Sequence, residues 1–237
     1  MIINCVDKIS KNTEVILEGW VSRFLWFNFS IKNEELEIYH NNTKISEVRT
    51  DVNGRFYTTY NFEKPGLYSL KVKLKKYDTE PGILNVLIIS PEKKNQLVVC
   101  DIDNTIVNFS YMLFIFGLGL TPINGARNVL KEISEKYYIL YLTHRHDMFT
   151  NTTKEWIISN DFPIAPVFLW SMKYDPFKSY SYKVKKIRDL VKETGLEIIA
   201  GIGDRESDIM AYKKVGINKI FLIDSNQSWE KIRKELL

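Results

Sequence analysis

From Glu14 to about Ile89 the chain is a succession of short runs rich in β-branched and aromatic residues, cut by turn chemistry. Val15–Val21, Arg23–Ile31, Leu36–Tyr39, Ile45–Thr50, Arg55–Asn61, Tyr68–Leu74 and Leu84–Ile89 are the candidate strands. His40-Asn41-Asn42, Asp51-Val52-Asn53-Gly54 and Lys64-Pro65-Gly66 separate them. Asn53-Gly54 is the strongest of these turns, because Asn and Gly tolerate the positive φ that a tight hairpin demands. Leu67, Leu70, Val72 and Leu74 are set against Ser69, Lys71, Lys73 and Lys75, as on a strand with one wet face. About seven strands at this spacing predict an antiparallel sandwich of immunoglobulin-like type.

At Pro91-Glu92-Lys93-Lys94-Asn95-Gln96 the chain turns polar behind a proline, as a linker does. Beyond it apolar runs alternate with helical periodicity. Strands are expected at Leu97–Asp101, Tyr138–Leu142, Val167–Trp170, Glu197–Ile202 and Lys219–Ile223. Helices are expected near Pro122–Lys136, Met148–Asn160, Tyr182–Thr194 and Glu206–Val215. Such alternation predicts a doubly wound parallel sheet, an α/β domain covered on both faces. The expected organisation is a β-sandwich over residues 1–92 and the α/β domain over residues 93–237.

The 237 residues are 45% hydrophobic and 26% charged, which excludes collagenous, low-complexity and disulfide-scaffold classes. Lys and Arg number 33 against 29 Asp and Glu, and the excess is even: 14 against 12 in residues 1–95, 19 against 17 beyond. No basic block marks a nucleic-acid arm. The two cysteines, Cys5 and Cys100, imply no disulfide framework. MIINCVDKIS lacks a secretory pattern, so the cytoplasm is the expected compartment. Tyr111–Leu120, the longest apolar stretch, is far short of the ~20 residues of a membrane-spanning helix.

In open parallel sheets ligands sit beyond the carboxyl ends of the strands. Those ends carry Asp101-Ile102-Asp103-Asn104-Thr105, then Thr143-His144-Arg145-His146, and Gly203-Asp204-Arg205-Glu206-Ser207-Asp208, while Lys183 opens a helix. LVVCDIDNTIV, YLTHR, Lys183 in YKVKKIRDL and GIGDRESD resemble, in family order, the four motifs of the haloacid dehalogenase-like superfamily. The resemblance covers residues 97–223. Thr143-His144-Arg145 and the run from Asp208 to Ile223 look most like the lipin-type and actin-patch phosphatidate phosphatase branches.

That resemblance implies a Mg²⁺-dependent phosphomonoesterase working through an aspartyl-phosphate. A carboxylate nucleophile splits one difficult displacement into two easier ones, and Asp101 has that role. The cation neutralises both the carboxylate and the phosphate; Asp101, the Asp103 carbonyl and Asp204 would hold it. Asp103 would be the general acid and base. Thr143 and Lys183 would face the phosphoryl oxygens, with Thr105 also at the substrate and Arg145 forked onto the same or a second phosphate. Asp208, one helical turn past Asp204, would face the metal's waters or hold Lys183.

Bland readings compete with several of these. Asp103 and Asp208 could be helix caps, and Lys178, Lys185 and Lys186 compete with Lys183. His144 and His146 are packing or rim groups, since no Cys/His cluster accompanies them. Asp51–Gly54 lacks the ligand spacing of a calcium loop.

Asp103 to Thr143 and Thr143 to Lys183 are each too short for a full cap domain, so the site is expected to be open, as suits large or surface-held substrates. Tyr111–Leu120 would then be a flap, either touching a lipid or, the preferred reading, packed on the sandwich or a twin subunit. The partners expected are a phosphorylated substrate, a lipid among the candidates, and peripheral membrane contact. Two alternatives remain: a catalytically weak phosphate- or phospholipid-binding module, and a nucleic-acid end phosphatase, against which the even charge stands.

Overall fold

The computed structural model describes residues 1–24, 28–90, 95–108, 120–171, 179–225 and 227–237. They form two compact units, Met1–Pro91 with Asp147–Trp156, and Glu92–His146 with Ile157–Leu237. Asp147–Trp156, read from its helical pattern as part of the second domain, thus groups with the first.

The first unit is built of β1 (Ile2–Val6), β2 (Lys8–Ser10), β3 (Glu14–Phe24), β4 (Asn28–Ser30), β5 (Glu35–His40), β6 (Thr43–Arg49), β7 (Arg55–Asn61), β8 (Gly66–Leu74) and β9 (Gly82–Ile88). One sheet runs β1-β3-β4 with β7 also on β3, and the other runs β2-β9-β8-β5-β6. Leu17, Val21, Leu36, Ile38, Phe56, Leu70, Val72 and Val86 belong to one buried cluster. The alternation along β3 and β8 supplies this core, since every second side chain of a strand shares a face.

Three expectations change. Strands β1 and β2 lie in a segment assigned none, and β2 pairs with β9 in parallel, so the unit is not wholly antiparallel. Glu14–Phe24 is one continuous strand, not two runs parted at Ser22. Leu67 shares the parity of Ser69 and is exposed, because side-chain parity outweighs its hydrophobicity. The Asp51 turn is a turn: Asp51 Oδ1 accepts the amides of Asn53 (2.8 Å) and Arg55 (2.9 Å), and Gly54 takes φ 72°. Trp26 and Phe27 lie outside the described residues, and Phe29 is exposed.

The second unit holds β10 (Gln96–Cys100), β13 (Tyr138–His146), β14 (Val167–Trp170), β15 (Glu197–Gly203) and β16 (Lys219–Leu222), all parallel in the order β14-β13-β10-β15-β16. The first strand of this unit, β10, is therefore central, and connections run outward on either side of it, the doubly wound arrangement. Leu97–Cys100 is fully buried, as a two-face-covered strand must be. A short antiparallel pair, β11 (Val107–Asn108) and β12 (Thr121–Pro122), follows β10.

Helix α1 (Ala126–Lys136) buries Ala126, Val129, Leu130 and Ile133, one stripe at helical spacing. The helices α3 (Ser179–Thr194), α4 (Glu206–Lys214) and α5 (Ser228–Leu236) complete the unit, while α2 (Thr150–Ser159) lies mostly in the first. No sequence expectation covered α5, although Trp229, Ile232 and Leu236 carry helical spacing and are buried. Tyr111–Phe116 and Gly117–Gly119 lie outside the described residues. Among the described residues no helix is long and apolar enough to cross a membrane.

Candidate functional site

The carboxyl end of β10 is turned sharply. Asn104 takes φ 53°, a left-handed value that Asn tolerates, and the amides of Thr105 and Ile106 both reach back to the Ile102 carbonyl (3.2 and 2.9 Å). The turn leaves Asp101 and Asp103 at the strand tip. Thr105 is fully buried beneath them, its carbonyl accepting the indole N–H of Trp229 at 3.2 Å and its hydroxyl unpartnered. It supports the loop from below and is not on an accessible wall.

Lys183 enters from the second turn of α3, not from the helix opening. Its ammonium donates to Asp101 Oδ1 at 2.8 Å and to Asp208 Oδ1 at 2.7 Å, and all three side chains are almost wholly buried. Its rivals are elsewhere: Lys185 pairs with Asp189, Lys186 lies over the Phe168 ring, and Lys178 is outside the described residues. Asp208 sits in the first turn of α4, where its Oδ2 also accepts the Arg205 amide (3.3 Å). A carboxylate there is favoured by the helix dipole. Gly203 makes room for it, since a Cβ at that position would lie 2.7 Å from Asp208 Cβ and 2.8 Å from Oδ2.

Asp101, Asp204 and Asp208 each offer a carboxylate oxygen within 4.8 Å of the others. Asp204 Oδ1 is buried without a hydrogen-bond partner. Three carboxylates against the one buried ammonium leave −3 + 1 = −2 in the interior, offset only in part by the exposed Arg205 guanidinium 3.7 Å from Asp204 Oδ2, and a divalent cation would cancel that deficit. Hard oxygen donors suit Mg²⁺. Burial drives the Asp101 carboxyl up to about 7, opposed by Lys183 and reinforced by Asp208. Burial and then Asp208 raise Asp204 likewise. Burial works against the Lys183 charge, yet Asp101 and Asp208 outweigh it and hold its pKa above the ordinary value.

The second pair stands beside this cluster. Arg145, near the end of β13, gives Nε to Asp103 Oδ1 (2.9 Å) and Oδ2 (3.1 Å) and Nη2 to Oδ1 (2.6 Å). Thr143 Oγ1 donates to Asp103 Oδ2 at 3.4 Å and accepts the Arg145 amide at 3.2 Å. Arg145, expected to face a phosphate, is thus forked onto a carboxylate of its own chain. Alternation along β13 turns His144 and His146 the other way, both against Trp170. Burial, with Lys183 and Arg205 beside it, lowers the His144 pKa and favours the neutral ring.

Of the residues singled out from sequence, Asp101, Lys183, Asp204 and Asp208 converge, and Asp103, Thr143 and Arg145 form a second set joined by hydrogen bonds. Asp208, expected to face the metal's waters or hold Lys183, holds Lys183 and also stands in the acidic cluster itself. Trp229 escaped sequence reasoning, and Gly203, though inside the fourth motif, was given no role there. An apolar aromatic at helical spacing and a glycine at a strand end are the signals that carried them.

Residues 98–224 match the family described as PITM 1-3, LNS2 domain, over more than half of the chain. The chain belongs to the LNS2 family. Curated relatives of this LNS2 chain include membrane-associated phosphatidylinositol transfer protein 3 of Mus musculus, 28% identical over 183 residues (73% of this chain), and protein retinal degeneration B of Drosophila melanogaster, 26% identical over 190 residues (76%). The chain spans only 18% and 14% of their lengths. Among solved structures, D,D-heptose 1.7-bisphosphate phosphatase from B. bronchiseptica, complexed with magnesium and phosphate, is similar at a TM-score of 0.43 and 12% identity over 54% of this chain and 79% of that one. That likeness is too distant to bear on function.

The LNS2 match overturns the nearer resemblance to lipin-type and actin-patch phosphatidate phosphatases, while the haloacid dehalogenase-like fold, which LNS2 domains share, stands. The branch rested on one arginine and on a run around the fourth motif. In this chain that arginine is forked onto Asp103, so it was too little to name a branch.

Proposed function

We propose that the LNS2 unit recognises the terminal phosphate of a phospholipid headgroup together with Mg²⁺, and holds it without efficient turnover. The observation that carries this reading is the contrast between the two sets of side chains. Asp101, Asp204, Asp208 and Lys183 make a buried, charge-deficient cluster open to a cation. Asp103, the group that would have to move a proton, has both oxygens engaged by Arg145 and Thr143.

Asp101 and Asp204, with Asp208 adjoining, would hold the cation. When bound, it supplies the positive charge that lets a phosphate dianion approach these carboxylates. Lys183 has three N–H donors and spends two on Asp101 and Asp208, so one remains for a phosphoryl oxygen. The Thr143 hydroxyl, on the same side of β13 as Arg145, gives its one proton to Asp103, so Lys183 is the donor left for the phosphate. A terminal monoester, carrying up to two charges, fits this better than a diester carrying one. The kinship with membrane-associated phosphatidylinositol transfer proteins supports a lipid as the bearer of that phosphate.

Vesicle flotation of the whole chain tests this. Retention on phosphatidylcholine vesicles doped with phosphatidate, in Mg²⁺ and not in EDTA, is expected, with weaker retention on vesicles doped with phosphatidylinositol. Indifference to headgroup and to EDTA would overturn the reading.

A second reading, hydrolysis through phospho-Asp101, is favoured by Asp101 and Asp103 standing together at one strand tip. Sustained phosphate release from the same vesicles, abolished in Asp101→Asn, would put it first.

A further inference from the structure

A phosphate at this cluster is short of donors. A terminal phosphate presents oxygens on three sides besides its ester oxygen and carries up to two negative charges. Lys183 has a single N–H left for it, and Thr143 and Arg145 are turned to Asp103. A divalent cation would take one oxygen and Lys183 a second, so the last has no partner among these side chains.

Arg205 stands where that partner is needed. It follows Asp204 at the end of β15 and directly precedes α4. Its backbone is fixed: the amide donates to Asp208 Oδ2 (3.3 Å), and the carbonyl accepts the amides of Asp208 (3.0 Å) and Ile209 (3.2 Å). Its side chain takes no part in that cap and is 65% exposed, with Nε 3.7 Å from Asp204 Oδ2. That separation suits an ion pair and is too long for a hydrogen bond. Among the described residues the guanidinium donates no hydrogen bond at all. The carboxylate it adjoins belongs to the group whose oxygens lie within 4.8 Å of one another. A planar fork with its donors uncommitted is thus anchored by its backbone at the border of the acidic cluster.

We propose that Arg205 grips the bound phosphate, forking onto its oxygens, and thereby selects monoesters over diesters. This rests on the phosphate-recognition reading of the cluster. Cation, ammonium and guanidinium together call for three terminal oxygens, which a monoester has and a diester lacks. A guanidinium fills two acceptors at once, whereas a lysine in its place offers only a point charge.

The same side chain has the opposite effect on the cation. Its charge lies close to Asp204 and repels any cation held by that carboxylate. Losing Arg205 should therefore loosen phosphate and tighten Mg²⁺. An arginine that is merely solvated would move neither, and one that acts as charge alone would be replaced in full by lysine.

Calorimetry of the whole chain reads both quantities, with Mg²⁺ alone and with inorganic phosphate in saturating Mg²⁺. Parent, Arg205→Met, Arg205→Lys and Lys213→Met are compared, the last removing an equal charge from the far end of α4. Phosphate affinity is expected to fall roughly tenfold or more in Arg205→Met, the scale of a hydrogen bond between charged groups, while Mg²⁺ affinity rises. Arg205→Lys should keep the parent Mg²⁺ affinity and recover phosphate binding only in part. Lys213→Met should match the parent in both. Unchanged phosphate affinity in Arg205→Met, full retention in Arg205→Lys, or an equal loss in Lys213→Met overturns the proposal.

Flotation on phosphatidylcholine vesicles doped with phosphatidate or with phosphatidylglycerol, an anionic diester, reads the selectivity. The parent's preference for phosphatidate should shrink in Arg205→Met, and a preference left intact counts against the proposal. Parent binding with an unaltered Arg205→Met defeats the role of Arg205 alone, whereas absence of phosphate binding by the parent defeats the recognition site beneath it. If Arg205→Met does not fold, as read by circular dichroism, Arg205→Lys decides by its own criterion.

Discussion

Each unit buries a lysine at 1% exposure, and the two are used in opposite ways. Lys154, in the first unit, donates to Asp7 Oδ1 (2.5 Å) and to the carbonyls of Cys5 (2.9 Å) and Ile83 (2.8 Å). Its three donors meet three acceptors, and one carboxylate meets one ammonium. Asp7 in turn accepts the Asn85 amide at 2.7 Å. Lys183, in the second unit, meets two carboxylates with a third close by, and the buried group is left negative, with only the exposed Arg205 near Asp204 to offset it. Buried charge that is balanced and saturated with hydrogen bonds serves architecture. Buried charge left in deficit is a standing demand for a cation, and that is where ligand chemistry belongs.

The comparison breaks first at Lys154. Lys154→Met strands the Asp7 carboxylate in the interior, an expected loss of about 3–5 kcal/mol in urea unfolding of the whole chain. Lys183→Met should lose less at neutral pH, because Asp101 can take up a proton in place of the missing ammonium. It should instead abolish phosphate binding by calorimetry. Equal destabilisation by the two variants would erase the distinction drawn here.

Asp204→Asn comes next. It removes the carboxylate with the unpartnered oxygen, and Mg²⁺ affinity should fall roughly 10–100-fold, the scale on which metal sites respond even to supporting groups. In EDTA the same variant should melt at or above the parent temperature, since one of three crowded carboxylates is gone. A thermal shift assay with and without Mg²⁺ reads both effects.

The smallest effect per step is that of pH. Asp101 titrates near 7 in the folded chain, above its value of 3.8 when unfolded. The folded state therefore holds the extra proton between about 4 and 7, and the contribution of this group to metal-free stability is lost as pH rises through that window. A cation must displace the proton. Mg²⁺ affinity should thus rise about tenfold per pH unit below about 7 and level off above it. Affinity unchanged between pH 5 and 8 would remove Asp101 from the cation's ligands.

Much of the fold was legible from local pattern. Arg55–Asn61 alternates and is strand β7, and the apolar run before Asp101 is the central strand β10. What escaped was short or paired at a distance. β2 is three residues long and pairs with residues 86–88, so its own sequence contains little evidence of it. Lys154 looks like any helix lysine until Asp7, 147 residues away, lies against it.

The order of apolar strands and amphipathic helices, together with the acids that end them, determined by itself a parallel α/β unit with Asp101, Asp103, Asp204 and Asp208 at one edge. Periodicity acts between neighbours, and neighbours are what a sequence displays. Only the tertiary structure decided which lysine stands between the acids, 82 residues from Asp101, and that Arg145 forks onto Asp103, 42 residues away, instead of onto a phosphate. Electrostatic partnership depends on separations of a few ångströms in space, and those arise only when the strands are brought side by side.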